Sequence, residues 1–186
     1  MTADAEFLKG FKKTVRLTLF TAGAIIVLMG VLGILSTVFP AISPAFVMGW
    51  GLIVSAANYF VPYITLRAAP LRPKWFFVLA VIDAVFGAIF LVCLFLARFE
   101  LVLFKLPALV GLWMVFHGCA RLYMAYLNRK AHVACWWITL TVCGNAVFAA
   151  FTMMRNPSDS FSLFSWIPLV TMGIFIVNEG RKLFGK

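Results

Sequence analysis

The sequence has very little charge for its length. Only 12% of its 186 residues are Asp, Glu, Lys or Arg, whereas 64% are hydrophobic, and the mean hydropathy is +1.03. A soluble globular domain is about half apolar and about one quarter charged. Because so few charges cannot cover a surface that faces water, the composition excludes a soluble domain and predicts an integral membrane protein.

Acidic residues are the scarcest charges. The chain has 6 Asp and Glu against 16 Lys and Arg, which gives a net charge of +10. In a soluble protein this excess would suggest a nucleic-acid partner. In a membrane protein, basic residues gather on the cytoplasmic side and contact anionic lipid headgroups. We therefore expect anionic lipids of the inner leaflet as partners and no nucleic acid. The sequence does not decide whether the chain forms a homo-oligomer.

Patterns for metal, cofactor or covalent chemistry are also lacking. The chain has four cysteines and two histidines, with no CxxC pair and no Cys/His cluster at zinc spacing. Its glycines lie in apolar runs and follow no strand, so they indicate no phosphate loop. We therefore predict no metal, no cofactor and no enzymatic activity.

Long apolar runs make up most of the sequence. A membrane-spanning helix needs about 20 such residues, and six runs qualify, which predicts an all-α polytopic protein with a single transmembrane domain over residues 1–186. A basic amphipathic arm at residues 1–16 is expected to lie along the inner leaflet. The predicted spans are residues 17–39, 43–64, 75–97, 101–126, 136–154 and 163–184.

The connections after the first, third and fifth spans are very short. Helices joined so tightly are expected to be antiparallel neighbours, which predicts three tandem helical hairpins at residues 17–66, 75–128 and 136–184. Basic residues gather in the N-terminal arm, the second and fourth connections and the C-terminus, so both termini are predicted to be cytoplasmic. These residues include Lys9, Lys12, Lys13, Arg16, Arg67, Arg72, Lys74, Arg129, Lys130, Arg181, Lys182 and Lys186.

The three hairpins resemble one another in sequence. A shift of 62 residues places the segment "VIDAVFGAIF" at Val81 on a segment that contains Ala146-Val147-Phe148, with Asp83 on Asn145. This predicts a parallel repeat of three units. Small residues also recur in the predicted even-numbered helices, where close backbone approach supplies the contact between helices in lipid. The predicted packing glycines are Gly49, Gly111 and Gly173, and Gly118 and Gly180.

Two of these glycine-centred segments, "MGWGLIVSAANYF" and "VGLWMVFHGCARLY", carry a resemblance to a known family. Together with three hairpins of about sixty residues and the prolines Pro40 and Pro157 in short turns, they resemble the HdeD family of bacterial inner-membrane proteins. The resemblance covers about residues 17–184. It implies a six-span protein of the bacterial cytoplasmic membrane with a role in acid resistance, and it implies no catalytic residues.

A few ionisable residues fall inside the predicted spans. Asp83 and His117 lie at similar depths on neighbouring antiparallel spans, roughly 12 and 13 Å from their cytoplasmic ends at about 1.5 Å per residue. Arg121 lies one helical turn from His117 on the same face, and Asn145 is expected to hydrogen-bond into the group. These four residues could form a proton-sensing or proton-conducting site, or a clasp between helices, and we favour the clasp.

Two further charges are expected at the edges of the membrane. Glu179 lies close to Arg181 and Lys182, which predicts an ion pair at the interface, and Lys105 is expected to extend its amine to the outer surface. The function predicted from the whole sequence is a non-enzymatic membrane protein of HdeD-like type that contributes to acid or stress resistance. The alternative is a small transporter or a proton or ion channel that uses the buried polar cluster.

Overall fold

The computed structural model describes residues 3–39, 41–65, 74–95, 106–130, 132, 136–155 and 163–184. In this part of the chain all regular structure is helical, and strands are absent. The six helices are α1 (Ala3–Val38), α2 (Pro44–Thr65), α3 (Lys74–Phe95), α4 (Leu106–Lys130), α5 (Trp136–Arg155) and α6 (Leu163–Phe184).

Helix α1 is longer than the predicted first span. It is continuous for 36 residues, or roughly 54 Å at 1.5 Å per residue, and exceeds the roughly 30 Å of a bilayer core. The basic residues of the predicted arm therefore lie on the first turns of this helix, and the position of the arm along the inner leaflet stays a prediction. The other helices end within a few residues of the predictions, and Lys105 lies outside the described residues.

Five helical segments are long and apolar enough to cross a membrane by length and composition. They are Lys9–Val38 of α1 and the whole of α2, α3, α4 and α5. Within the described residues, α6 is not among these segments; Glu179, Arg181 and Lys182 lie in its last turns. The fold is therefore an all-helical one with multi-pass membrane character.

The six helices form a closed ring. Each helix contacts the next one along the chain, and α1 contacts α6. The most extensive packing joins α1 to α6, α2 to α3 and α4 to α5, whereas the helices of each predicted hairpin touch less. Chain neighbours thus do contact one another, but the tightest pairs lie between the predicted hairpins rather than within them.

Glycines explain which pairs pack most tightly. A Cβ atom added to Gly173 of α6 would lie 2.7 Å from the backbone oxygen of Gly23 and from the backbone nitrogen of Val27, both in α1. At Gly49 of α2, it would lie 2.7 Å from the Leu91 side chain in α3. Without a Cβ atom, the two backbones of a pair can approach closely, which gives the van der Waals contact that lipid does not otherwise drive.

We call the three tightest helix contacts, α1 with α6, α2 with α3 and α4 with α5, the seams of the ring. The remaining predicted glycines lie at the seams of α4 with α5 and of α1 with α6. A Cβ atom at Gly111 of α4 would lie 2.9 Å from Met154 of α5, and one at Gly118 would lie 3.3 Å from Val147 of the same helix. A Cβ atom at Gly180 of α6 would lie 3.0 Å from the Leu19 Cβ atom in α1. All five predicted packing glycines therefore face the next seam of the ring, away from the partner helix of their own hairpin.

The ring places large apolar side chains on its outside. Phe148 and Phe151 of α5 are 68% and 67% exposed. By contrast, the charged side chains of Asp83, Arg121 and Glu179 are completely buried. This arrangement is the reverse of a water-soluble protein, and it suits a surface that is covered by lipid.

Candidate functional site

A group of buried polar side chains occupies the middle of the ring, and we call it the polar centre. All of its members are 0% exposed, and they come from five of the six helices. The polar centre consists of Ser55 and Tyr59 of α2, Asp83 of α3, Trp113, His117 and Arg121 of α4, Thr139 of α5 and Glu179 of α6.

Asp83 is held by donors from two neighbouring helices. The Ser55 hydroxyl donates to Oδ2 at 2.6 Å, and the Trp113 indole N–H donates to Oδ1 at 2.9 Å. The His117 Nδ1 atom lies 3.6 Å from Oδ1, which is too long for a hydrogen bond. The Asp83 carboxyl group thus has two neutral hydrogen-bond donors and an imidazole beside it.

Arg121 connects three helices through its guanidinium group. Nη1 donates to Glu179 Oε2 at 2.8 Å, and Nη2 donates to the Tyr59 hydroxyl at 2.7 Å. The Nε atom makes a longer contact of 3.4 Å with His117 Nε2. Because the guanidinium presents its donors in a fixed planar fork, these partners fix the position of α4 relative to α2 and α6.

Glu179 is a member of the polar centre, so the prediction of an interfacial ion pair with Arg181 or Lys182 is wrong. Its Oε1 atom accepts a hydrogen bond from the Thr139 hydroxyl at 2.5 Å, while Oε2 pairs with Arg121. A buried carboxylate needs a cation and donors to offset its lost hydration. Arg121 supplies that cation from across the ring.

A signal for Glu179 was present in the sequence. Ser55, His117 and Glu179 are spaced by 62 residues, one on each even-numbered helix. All three are completely buried. The 62-residue spacing from Ser55 and His117 therefore indicates an inward position for Glu179, whereas the nearby Arg181 and Lys182 suggested an interfacial one.

The structure brings together three of the four predicted cluster residues. Asp83, His117 and Arg121 lie in contact, but Asn145 lies outside the polar centre. The Asn145 amide donates to the Pro168 backbone oxygen at 3.0 Å and accepts from the Thr171 hydroxyl at 3.3 Å. Asn145 is half-buried and bonds to α6, which corrects the expectation that it joins the Asp83 group.

The polar centre continues towards the ends of α4 and α5. The Asn128 amide lies 3.4 Å from the Thr139 hydroxyl, which in turn donates to Glu179. On α4, the 15 positions from Trp113 to Asn128 correspond to roughly 22 Å. In the opposite direction, the buried residues of α4 beyond Trp113 are Leu106, Pro107, Val110 and Gly111. Polar side chains thus extend to one end of the bundle, and an apolar layer lies at the other.

The arrangement of Ser55, Asp83 and His117 does not match a catalytic triad. In a triad, the serine hydroxyl donates to the histidine, which activates it as a nucleophile. Here the hydroxyl donates to the carboxyl group of Asp83. Within the described helices, no group of three or more His, Cys, Asp or Glu side chains is placed to hold a metal ion.

A second feature is an open groove between α2 and α3 on the outside of the ring. Its volume is about 280 Å³, and its walls are four alanines, two phenylalanines and Val81. The lining is apolar throughout, and it carries none of the polar centre's side chains. The groove therefore offers a surface for apolar chains and no group for chemistry.

The comparisons with known proteins concern the first half of the ring. Residues 18–92 match the family model described as "Short repeat of unknown function (DUF308)", which is the family of HdeD-like membrane proteins in general. The comparisons found no matching curated protein and no matching solved structure. The matched segment holds Ser55, Tyr59 and Asp83, so part of the polar centre lies within sequence that is similar to this short-repeat family.

Proposed function

We propose that the protein is a six-span, non-enzymatic protein of the bacterial inner membrane, of HdeD-like type, that contributes to acid or stress resistance. The observation that carries this proposal is the distribution of polarity, with ion-paired side chains in the centre of the ring and phenylalanines on its outside. The match of residues 18–92 to the short-repeat family supports the same class.

The packing of α6 supports a sixth span in spite of its charges. Gly33 faces Trp166, Gly30 faces Val170, and Gly180 faces Leu19. These contacts run in opposite directions along the two chains, so α6 lies antiparallel to α1 over most of its length. A helix that accompanies a spanning helix in this way crosses the same bilayer, and Glu179 is tolerated there because Arg121 compensates it.

The positions of basic residues support cytoplasmic termini. Lys12, Lys13 and Arg16 lie near the start of α1, and Arg129 and Lys130 lie at the end of α4. Arg181 and Lys182 lie near the end of α6. These three helix ends fall on one side of a ring with alternating helix directions, and the positive-inside rule assigns that side to the cytoplasm.

The polar centre fits the role of a structural clasp. It joins five helices through hydrogen bonds among fully buried groups, and polar side chains often hold helices together in lipid. The ion pair of Arg121 and Glu179 is completely buried, so salt in the surrounding water screens it little.

Acid survival and membrane topology test the proposal together. We expect the full-length protein to raise the survival of an acid-sensitive bacterial strain, compared with an equal amount of the Arg121→Gln variant. A reporter that is active only in the cytoplasm should give a signal when fused to either terminus, and a reporter that is active only in the periplasm should give none. Equal survival with and without the protein would contradict the stress role, and a periplasmic terminus would contradict the topology.

The alternative function is proton or ion transport, and the chain of polar groups from Asn128 to Asp83 favours it. Flux measurements in proteoliposomes distinguish this alternative from the clasp. If the protein is a transporter, flux should be present and should disappear in Asp83→Asn, while Asn145→Ala should retain it. If the polar centre is a clasp, we expect no flux above that of empty vesicles.

A further inference from the structure

We propose that the polar centre is a proton-binding site, in which Asp83 and His117 together hold one exchangeable proton that is reached from the cytoplasmic side alone. The proton site itself stands on the contacts within the ring. Its sidedness rests on the orientation proposed above.

The number of charges in the polar centre carries the first step. Two carboxyl groups, Asp83 and Glu179, are completely buried together with a single guanidinium, Arg121. Arginine stays protonated in proteins, so two ionised carboxylates would leave one negative charge without a partner. Such a charge is costly in a lipid-embedded core. One additional proton makes the polar centre neutral.

The contacts indicate where this proton resides. Glu179 has the direct ion pair with Arg121 at 2.8 Å. Asp83 has only neutral donors, Ser55 and Trp113, and the His117 Nδ1 atom at 3.6 Å. The surplus negative charge therefore belongs to Asp83, and the compensating proton belongs to the Asp83–His117 pair.

The orientation of the His117 ring indicates which atom of the Asp83–His117 pair carries the additional proton. Because Arg121 Nε donates towards His117 Nε2, that nitrogen acts as the acceptor and the ring hydrogen is on Nδ1, facing Asp83. A second ring hydrogen, on Nε2, would point at the N–H of Arg121 Nε and repel it. The additional proton is therefore on Asp83 Oδ2, where the Ser55 hydroxyl, 2.6 Å away, can rotate from donor to acceptor.

The surroundings of the pair are accounted for helix by helix. In the described part of the chain, the titratable or charged side chains that meet the pair are Tyr59 from α2 and Arg121 from α4, with Glu179 of α6 behind the guanidinium. Thr139 and Asn128 continue the polar groups towards the end of α4 that carries Arg129 and Lys130. Arg121 keeps its own protons and does not relay one. Because the described polar groups extend towards this end and an apolar layer lies at the other, the proton that Asp83 exchanges with water enters and leaves on the cytoplasmic side.

Infrared spectroscopy of the full-length protein tests the proton site. The protein is reconstituted in vesicles of phosphatidylethanolamine and phosphatidylglycerol at neutral pH, where carboxyl groups in water are ionised. We expect one carbonyl band of a protonated carboxylic acid in the wild type and its loss in Asp83→Asn. The band should persist in Asn145→Ala, which changes the same repeat position outside the polar centre.

The Glu179→Gln variant provides the sharper result. It leaves Asp83 in place but frees Arg121 to balance it, so the proton is no longer needed and the band should also disappear. Absence of the band from the wild type, or its persistence in Asp83→Asn or Glu179→Gln, would overturn the proton site. If Asp83→Asn fails to fold, nitrogen NMR of wild-type His117 decides, because a doubly protonated ring would contradict the assignment.

Access is tested separately from the proton site. In vesicles whose orientation has been measured by protease treatment, the pH is raised on one side at a time. We expect the acid band to decrease only when the cytoplasmic side becomes alkaline. A response to the other side would overturn the one-sided path, and a terminus that the protease maps to the outside would contradict the proposed topology while leaving the band test intact.

Discussion

The polar centre and the seam between α1 and α6 hold the ring together in two different ways. In the polar centre, long side chains reach across the ring and meet through charge and hydrogen bonds, such as the 2.8 Å pair of Arg121 and Glu179. At the seam, Gly23 and Gly173 lack side chains, and backbone meets backbone. Because lipid supplies no hydrophobic drive between helices, contacts of these two kinds hold the helices of the ring together.

The two regions differ in what a small change removes. A charge in the polar centre compensates another charge, so its loss leaves a partner that has neither water nor a counterion. A glycine at the seam provides space, so its replacement forces two helices apart. We therefore expect a substitution that removes a charge but keeps the side chain's size to destabilise the polar centre. At the seam, we expect a substitution that enlarges an apolar residue to destabilise the protein.

The largest expected effect comes from Arg121→Gln, which keeps hydrogen-bonding groups but removes the positive charge. Breaking a buried ion pair by removing one partner costs about 3–5 kcal/mol, because Glu179 stays buried with only Thr139 as a donor. The free energy of unfolding in detergent measures this loss. The double variant Arg121→Gln and Glu179→Gln should recover most of it. A mild single effect would mean that Glu179 reaches the interface, as the sequence alone suggested.

At the seam, Gly173→Ala should destabilise the protein by roughly 1–3 kcal/mol, the range for forced overpacking. The new methyl group would lie 2.7 Å from two backbone atoms of α1, which cannot rotate away. The matched control is Gly144→Ala in α5, where nothing lies within 4 Å. The unfolding free energy of that variant should be no lower than that of the wild type, since alanine favours a helix over glycine by about 1 kcal/mol.

These regions also differ in how far the sequence predicted them. Long apolar runs predicted the helices, since a spanning helix must satisfy its own backbone hydrogen bonds. The estimated depths placed Asp83 and His117 at a similar level in the membrane, and helical spacing placed Arg121 on the same face as His117. The partners Tyr59 and Thr139 were not predicted, because a single hydroxyl in an apolar helix gives no pattern. Short connections suggested packing within hairpins, whereas the glycine faces determine the tighter pairs across the seams.

Ser55→Ala should have a smaller effect, because it removes one neutral donor from Asp83 and no charge. A typical buried hydrogen bond contributes about 0.5–1.5 kcal/mol, and the loss should fall in that range. The control is Thr141→Ala in α5, where the lost hydroxyl donates to the Trp137 backbone oxygen of its own helix. If both variants lower the unfolding free energy equally, the hydrogen bond between Ser55 and Asp83 contributes nothing specific to the polar centre.

The smallest effect is expected on the outside of the ring, which belongs to neither region. Phe148 is 68% exposed, so Phe148→Leu exchanges one lipid-facing apolar side chain for another. The unfolding free energy should change by no more than about 0.5 kcal/mol. Light scattering in detergent adds a second measurement, since the particle mass should also stay the same. A lower mass for the variant would mean that another copy of the chain, and not lipid alone, covers this face. The outer surface at Phe148 would then be a contact between two copies of the chain that depends on side-chain size, as the seam between α1 and α6 does.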